Sequence, residues 1–94
     1  MERTYFEVDL SGVDTYGEFH TRVKNALELP EYYGENLDAL YDMLTELGGK
    51  WSITFHHTRE LEEALPQYVA KLQRLFADAC RQQPGLEIQG LKRP

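Results

Sequence analysis

The chain has 94 residues, of which 41% are hydrophobic and 28% are charged, and its formal net charge is −6. A chain of this length and composition can bury one modest core, so we expect a single domain over residues 1–94. The excess of acidic residues disfavours binding to nucleic acid or to an anionic membrane, and it favours a basic partner.

The first elements that the sequence predicts are a strand and a helix. Apolar residues alternate with acidic ones over residues 4–10, which is typical of a strand with one buried face. Thr15 and Glu18 have the spacing of a capping box, and the apolar spacing after them predicts a helix over residues 16–28. His20 lies in this helix, and we expect it at the helix surface.

The segment PEYYGENLDALYDMLTEL, residues 30–47, predicts a second helix. Asn36 is a good N-cap, and the glycine pair after residue 47 is a stop signal. Asp38 and Asp42 lie together on one side, because each helical residue turns the side chain by about 100°. An apolar stripe occupies the other side and comprises Leu37, Leu40, Leu44 and Leu47.

The rest of the chain predicts a strand, two helices and a last strand. The strands fall at residues 51–57 and 86–91, and between them lie a short helix capped by Thr58 and a long apolar helix that begins at Pro66. Strands separated by helices favour parallel pairing with right-handed crossovers. We therefore expect an α/β fold in two layers, in which a small three-stranded parallel sheet packs against about four helices. The strand order stays open.

The acidic side of the second helix has three interpretations: a solvated face, a protein-binding surface and a catalytic site. Asp38 and Asp42 repel each other at this spacing, and no Lys or Arg lies between Lys24 and Lys50. Two tyrosines precede the helix, and rigid aromatics beside unneutralised carboxylates are typical of a binding hot spot. This combination favours a binding surface. No enzyme is expected, because two carboxylates on one exposed face have nothing to separate their pKa values.

The sequence predicts no metal or cofactor and favours a cytoplasmic protein. His56 and His57 are neighbours on a predicted strand, so they point to opposite faces and do not share an ion. Cys80 is the only cysteine, which excludes an intramolecular disulfide and fits a reducing compartment. The N-terminal residues lack the apolar run of a signal peptide, and no stretch has the length and apolarity of a membrane span.

The stretch LPEYYGENLDALYD, residues 29–42, resembles the barstar family, whose members are small intracellular inhibitors of secreted ribonucleases. The strongest match runs from Leu29 to Leu44. The resemblance implies a barstar-like fold of three parallel strands with packed helices. It also implies that the chain, a monomer when free, blocks the active-site cleft of a basic, barnase-like ribonuclease in a one-to-one complex.

The resemblance further implies which residues bind the ribonuclease. Asp42 would occupy the position of a substrate phosphate, with Tyr41 and Thr45 on either side of it. Asp78, in the last helix, would pair with a basic residue of the enzyme. The other members of the implied partner-binding set are Tyr32, Tyr33 and Gly34 in the inserted loop and Asn36, Leu37, Asp38, Ala39 and Glu46 in or beside the helix.

The chain departs from the best-known member of the family around this surface. Tyr41 stands in place of a tryptophan, Met43 in place of a cysteine, and Asp78 in place of a glutamate. Glu46 and Leu47 stand in place of a Gly-Trp pair. Changes at the edge of an interface can alter its specificity. The alternative hypothesis is therefore a barstar-like binding or immunity module for a different toxin or enzyme.

Overall fold

The computed structural model describes residues 2–91, which form an α/β fold with one three-stranded parallel sheet and four α-helices. The strands are β1 (Thr4–Asp9), β2 (Trp51–His56) and β3 (Glu87–Gln89). The helices are α1 (Tyr16–Leu27), α2 (Leu37–Leu47), α3 (Arg59–Ala64) and α4 (Pro66–Gln82). A short 3-10 turn, Gly48–Lys50, joins α2 to β2. The predicted fold class and order of elements are confirmed.

The sheet has the order β1-β2-β3, so β2 is its central strand. Both pairs of strands are parallel: Val8 lies beside Phe55, and Ile53 lies beside Ile88. Two α-helices lie between β1 and β2 along the chain, and two more lie between β2 and β3. This order, which the sequence left open, makes each crossover connect neighbouring strands.

The helices cover one face of the sheet, which gives the two predicted layers. Val8, Ile53 and Ile88 point towards the helices and are almost completely buried. On the other face Tyr5 is 74% exposed. The core is organised around Phe55, whose ring stacks on Phe19 of α1 at 6.1 Å and on a phenylalanine of α4 at 5.5 Å between ring centroids.

Two of the three predicted helix caps are confirmed. The Thr15 hydroxyl accepts a hydrogen bond from the Glu18 N–H at 3.2 Å at the start of α1. The Asn36 side chain accepts one from the Ala39 N–H at 2.8 Å at the start of α2. The Thr58 prediction is wrong, because this hydroxyl makes no capping bond and donates to a carboxylate of α3 instead.

The structure reverses the predicted burial of two side chains. Leu47 is 48% exposed, because α2 ends there, and Met43 takes its place in a buried stripe with Leu40 and Leu44. His20 was expected at the surface of α1 and is only 1% exposed. Its burial is possible because two tyrosine hydroxyls from other parts of the chain contact the imidazole ring.

Candidate functional site

A solvent-open groove of about 560 Å³ runs between α2 and α4, and we call it the α2–α4 groove. The two helices pack against each other, and the Gln83 side chain after α4 donates a hydrogen bond to the Thr45 carbonyl near the end of α2. Residues from both helices line the groove: Leu37, Asp38, Tyr41, Asp42, Lys71, Arg74, Leu75 and Asp78. Five of the predicted site residues therefore share one surface, although Asp78 lies far from the others in sequence.

The carboxylates of the groove are available to a partner. Asp38 and Asp42 are exposed and take part in none of the ion pairs within residues 2–91. Asp78 pairs with Arg81 one turn further along α4, and both side chains are more than half exposed. An exposed pair of this kind contributes little to stability, so Asp78 can exchange its partner at small cost.

Two cations in the groove were missed by the sequence analysis. Lys71 and Arg74 precede Asp78 by seven and four residues on α4, and this helical spacing puts them on the same face. That spacing was visible in the sequence once Asp78 had been proposed as a site residue. Neither cation lies within ion-pair distance of a carboxylate of α2. The groove therefore carries both signs of charge, whereas α2 by itself is purely acidic.

The segment before α2 divides into an exposed tyrosine and a buried one. Tyr32 is 77% exposed and stands out from the surface. Tyr33 is only 5% exposed, and its hydroxyl lies 2.6 Å from Nδ1 of His20. The prediction that Tyr33 belongs to a loop offered to the partner is therefore corrected for its side chain, which lies in the core.

The turn into α2 depends on close contacts around Gly34. A Cβ atom at this position would lie 3.2 Å from Nδ2 of Asn36 and 3.3 Å from the Ala39 Cβ. The Asn36 side-chain amide makes two hydrogen bonds here. Its oxygen accepts from the Ala39 N–H, and its nitrogen donates to the Gly34 carbonyl at 3.2 Å. Glu35 has a φ of 56°, a left-handed conformation that is uncommon outside glycine. These features determine where the first turn of α2 begins.

The remaining predicted residues lie beside the groove. Thr45 is half-buried, and its hydroxyl donates to the Tyr41 carbonyl at 2.9 Å in its own helix. Ala39 is half-buried, and Glu46 is exposed near the end of α2. Around the N-terminus of α2 a second open depression adjoins the groove and is lined by Tyr16, Glu35, Asn36, Leu37, Asp38 and Tyr68. Tyr16 and Tyr68 were not predicted as part of this surface.

A separate polar cluster lies at the carboxyl ends of β1 and β2. His56 contacts Glu7 at 3.1 Å, and His57 contacts Asp9 at 3.0 Å. Hydrogen bonds from the Ser11 backbone N–H and from His57 lower the pKa of Asp9 to about 2. Within residues 2–91 no group of three or more His, Cys, Asp or Glu side chains is arranged to hold a metal ion.

None of the helices in the described part of the chain combines the length and the apolarity needed to cross a membrane.

Comparison with known families agrees with the fold. The family model described as Barstar (barnase inhibitor) matches residues 3–90, a range that contains every strand and helix from β1 to β3. The description is that of an inhibitor and not of an enzyme, and it supports a barnase-inhibitor role in general. Because the match extends over nearly the whole chain, this protein belongs to the barstar family.

Proposed function

We propose that this chain inhibits a basic, secreted, barnase-like ribonuclease by occupying its active-site cleft. Helix α2 and the residues before it insert into the cleft, and the complex contains one inhibitor and one enzyme. The free inhibitor is a monomer with a single barstar-like domain. The observation that carries the proposal is the α2–α4 groove, where Asp38, Asp42 and Asp78 from two helices line one open space.

The chemistry of inhibition follows from the carboxylate of Asp42. A ribonuclease holds the substrate phosphate with Arg, Lys and often His side chains. A carboxylate on a rigid helix accepts the same charge-assisted hydrogen bonds from those groups. Asp42 has no ion-pair partner within the described residues, so it meets those cations without first breaking a bond. It offers no scissile bond, and the inhibitor is therefore not consumed.

Residues around Asp42 extend the contact. Tyr41 is half-buried in the groove, so its ring is held by packing while part of it faces a partner. Tyr32 and Gly34 are exposed just before α2, where they meet the edge of the cleft. Asn36, Leu37, Ala39, Thr45 and Glu46 surround the inserted face of the helix. The contribution of Tyr33 comes from its backbone, because its side chain is buried.

The inserted surface is preorganised, which favours tight binding. The Asn36 cap determines the first turn of α2, and the Gln83 side chain holds the last turn against the end of α4. Holding a surface in its bound shape before association reduces the entropy lost on binding. We therefore expect the backbone of α2 to move little when the enzyme binds.

Titration of a purified barnase-type ribonuclease with this protein tests the proposal. RNA hydrolysis should fall linearly to zero at one inhibitor per enzyme. The association rate constant should fall as ionic strength rises, because the inhibitor has a net charge of −6 and the enzyme is basic. Full ribonuclease activity in the presence of a large excess of inhibitor would contradict the proposal.

A barstar-like module for a different toxin or enzyme is the second candidate. The presence of Lys71 and Arg74 in the groove favours it, because a uniformly basic cleft gains less from a surface that carries cations. Binding of a purified basic toxin of another activity, together with no effect on barnase-type ribonucleases, would support this candidate. In either case we place the inhibitor in the cytoplasm, where a single cysteine stays reduced.

A further inference from the structure

The two sides of the α2–α4 groove carry opposite charges. Asp38 and Asp42 lie on the α2 side, while Lys71 and Arg74, which we call the groove cations, lie on the α4 side. All four residues are exposed. Three further lining residues are half-buried: Leu37, Tyr41 and Leu75. A partner that fills the groove therefore meets carboxylates on α2 and cations on α4.

The groove cations form no ion pair within residues 2–91. Other lysine and arginine side chains in this range do form ion pairs: Arg3, Arg22, Lys24, Arg59 and Arg81. Arg74 lies four residues before Asp78, a spacing at which opposite charges pair on a helix, but Asp78 pairs with Arg81 instead. The charges of Lys71 and Arg74 are therefore available to a partner.

The groove cations do not help α4 to form. Lys71 and Arg74 lie three residues apart on one side of the helix, and like charges that are neighbours on a helix surface repel each other. Both residues are exposed, so their side chains add little to the packing of the core. The stability of the fold therefore does not account for two cations in a groove that the proposed function requires to be acidic.

The groove cations limit which partner fits. An enzyme that offered only cations to the groove would be attracted by α2 and repelled by Lys71 and Arg74. Closing the interface also removes water from these two side chains, and a charge that loses water without gaining a partner is costly. A carboxylate on the enzyme removes both costs, because it attracts the groove cations and accepts their hydrogen bonds. The groove therefore fits a cleft that carries both signs of charge.

We propose that Lys71 and Arg74 determine specificity: they select a ribonuclease that carries a carboxylate at the rim of its active-site cleft, beside the cations that hold the substrate phosphate. This inference rests on the proposed function and names the kind of enzyme concerned. Arg74 contributes more than Lys71, since a guanidinium binds a carboxylate through two parallel hydrogen bonds. Because Asp78 lies four residues after Arg74, the enzyme's carboxylate lies about 6 Å along α4 from the basic residue that Asp78 binds.

Dissociation rates of inhibitor variants test the proposal. The enzyme is the one that the parent protein binds most tightly in a panel of purified barnase-type ribonucleases. Arg74→Gln should speed dissociation about tenfold, and Lys71→Gln should speed it several-fold, because each leaves the enzyme's carboxylate without a partner. Arg59→Gln is the matched control. It makes the same change in net charge on α3, outside the groove, and should leave the dissociation rate unchanged.

Association rates and thermal melts separate the local contact from other effects. Each of the three substitutions makes the inhibitor more negative, so none of them should slow association with a basic enzyme at low salt. The loss of a contact in the interface is expected in the dissociation rate instead. The melting temperatures of Arg74→Gln and Lys71→Gln should match that of the parent protein, because both side chains are exposed.

A double-mutant cycle identifies the carboxylate on the enzyme. Each aspartate and glutamate at the rim of the cleft is replaced in turn by the corresponding amide. With one of these enzyme variants the parent inhibitor and Arg74→Gln should dissociate at equal rates, because the partner of Arg74 is already missing. If Arg74→Gln speeds dissociation but no enzyme substitution abolishes the difference, Arg74 binds no carboxylate at the rim, and the proposal is overturned.

Failure of this proposal differs from failure of the proposed function. If the parent protein inhibits a ribonuclease and Arg74→Gln dissociates from it at the parent rate or more slowly, the function stands and the selection of a carboxylate is refuted. If the parent protein inhibits no ribonuclease of the panel, the proposed function fails, and the inference fails with it.

Discussion

Replacing Asp42 by alanine separates binding from folding. The side chain is exposed in the α2–α4 groove and makes no ion pair within residues 2–91, so its removal leaves no cavity and no stranded partner. Alanine is a better helix former than aspartate, and the change relieves repulsion from Asp38 one turn away. The free energy of unfolding should therefore rise by about 0.5 kcal/mol, or stay the same.

The effect of Asp42→Ala on binding should be much larger. In the proposed complex the carboxylate lies among cations of the enzyme, and its loss leaves them buried without a partner. Such a loss costs roughly 2–5 kcal/mol, a range that rests partly on barnase–barstar and is therefore borrowed from this family. The dissociation constant should rise by roughly 30-fold to 4,000-fold.

Inhibitor titrations and thermal melts of the same samples measure the two effects. Asp38→Ala should weaken inhibition less than Asp42→Ala, because Asp38 lies one turn earlier, near the start of α2. Glu62→Ala makes the same change in net charge on α3, outside the groove, and should leave inhibition unaltered. If Asp42→Ala inhibits as well as the parent protein, α2 does not occupy the substrate-phosphate position, and the site assignment is wrong.

Substitutions at Gly34, Arg74 and Asp9 test three other features of the structure. Gly34→Ala should raise the inhibition constant about tenfold, because the added Cβ displaces the Asn36 cap. Gly17→Ala is the control and should leave the constant unchanged, since its added Cβ meets no atom within 4 Å. Equal inhibition constants for Gly34→Ala and the parent protein would refute this role of Gly34. Arg74→Gln should speed association with a basic ribonuclease about twofold at low salt, and Arg59→Gln, the same charge change outside the groove, should have a smaller effect. Asp9→Asn should flatten the dependence of unfolding on pH between 4 and 2. The folded pKa of Asp9 is about 2 and its ordinary value is 3.8, so its contribution is present above 3.8 and lost as pH falls to about 2; an unchanged profile would contradict this.

The sequence alone determined the elements and the acidic side of α2, because the forces that specify them act over a few residues. Alternation of apolar and acidic residues specifies which face of β1 is buried. The Asn36 cap joins residues three apart, so it could be recognised without the rest of the fold. The separation of Asp38 and Asp42 from the leucines follows from helix geometry alone.

Only the tertiary structure decided what lies against each face. The spacing along α4 predicts that Lys71 and Arg74 share a side with Asp78, but it does not show that α2 borders the same groove. Strand order was open for the same reason, since pairing joins segments that are distant in sequence. His20 is the clearest case. A polar ring is stable in a core only when its nitrogens are hydrogen-bonded, and both partners come from other segments, Tyr33 before α2 and Tyr68 in α4.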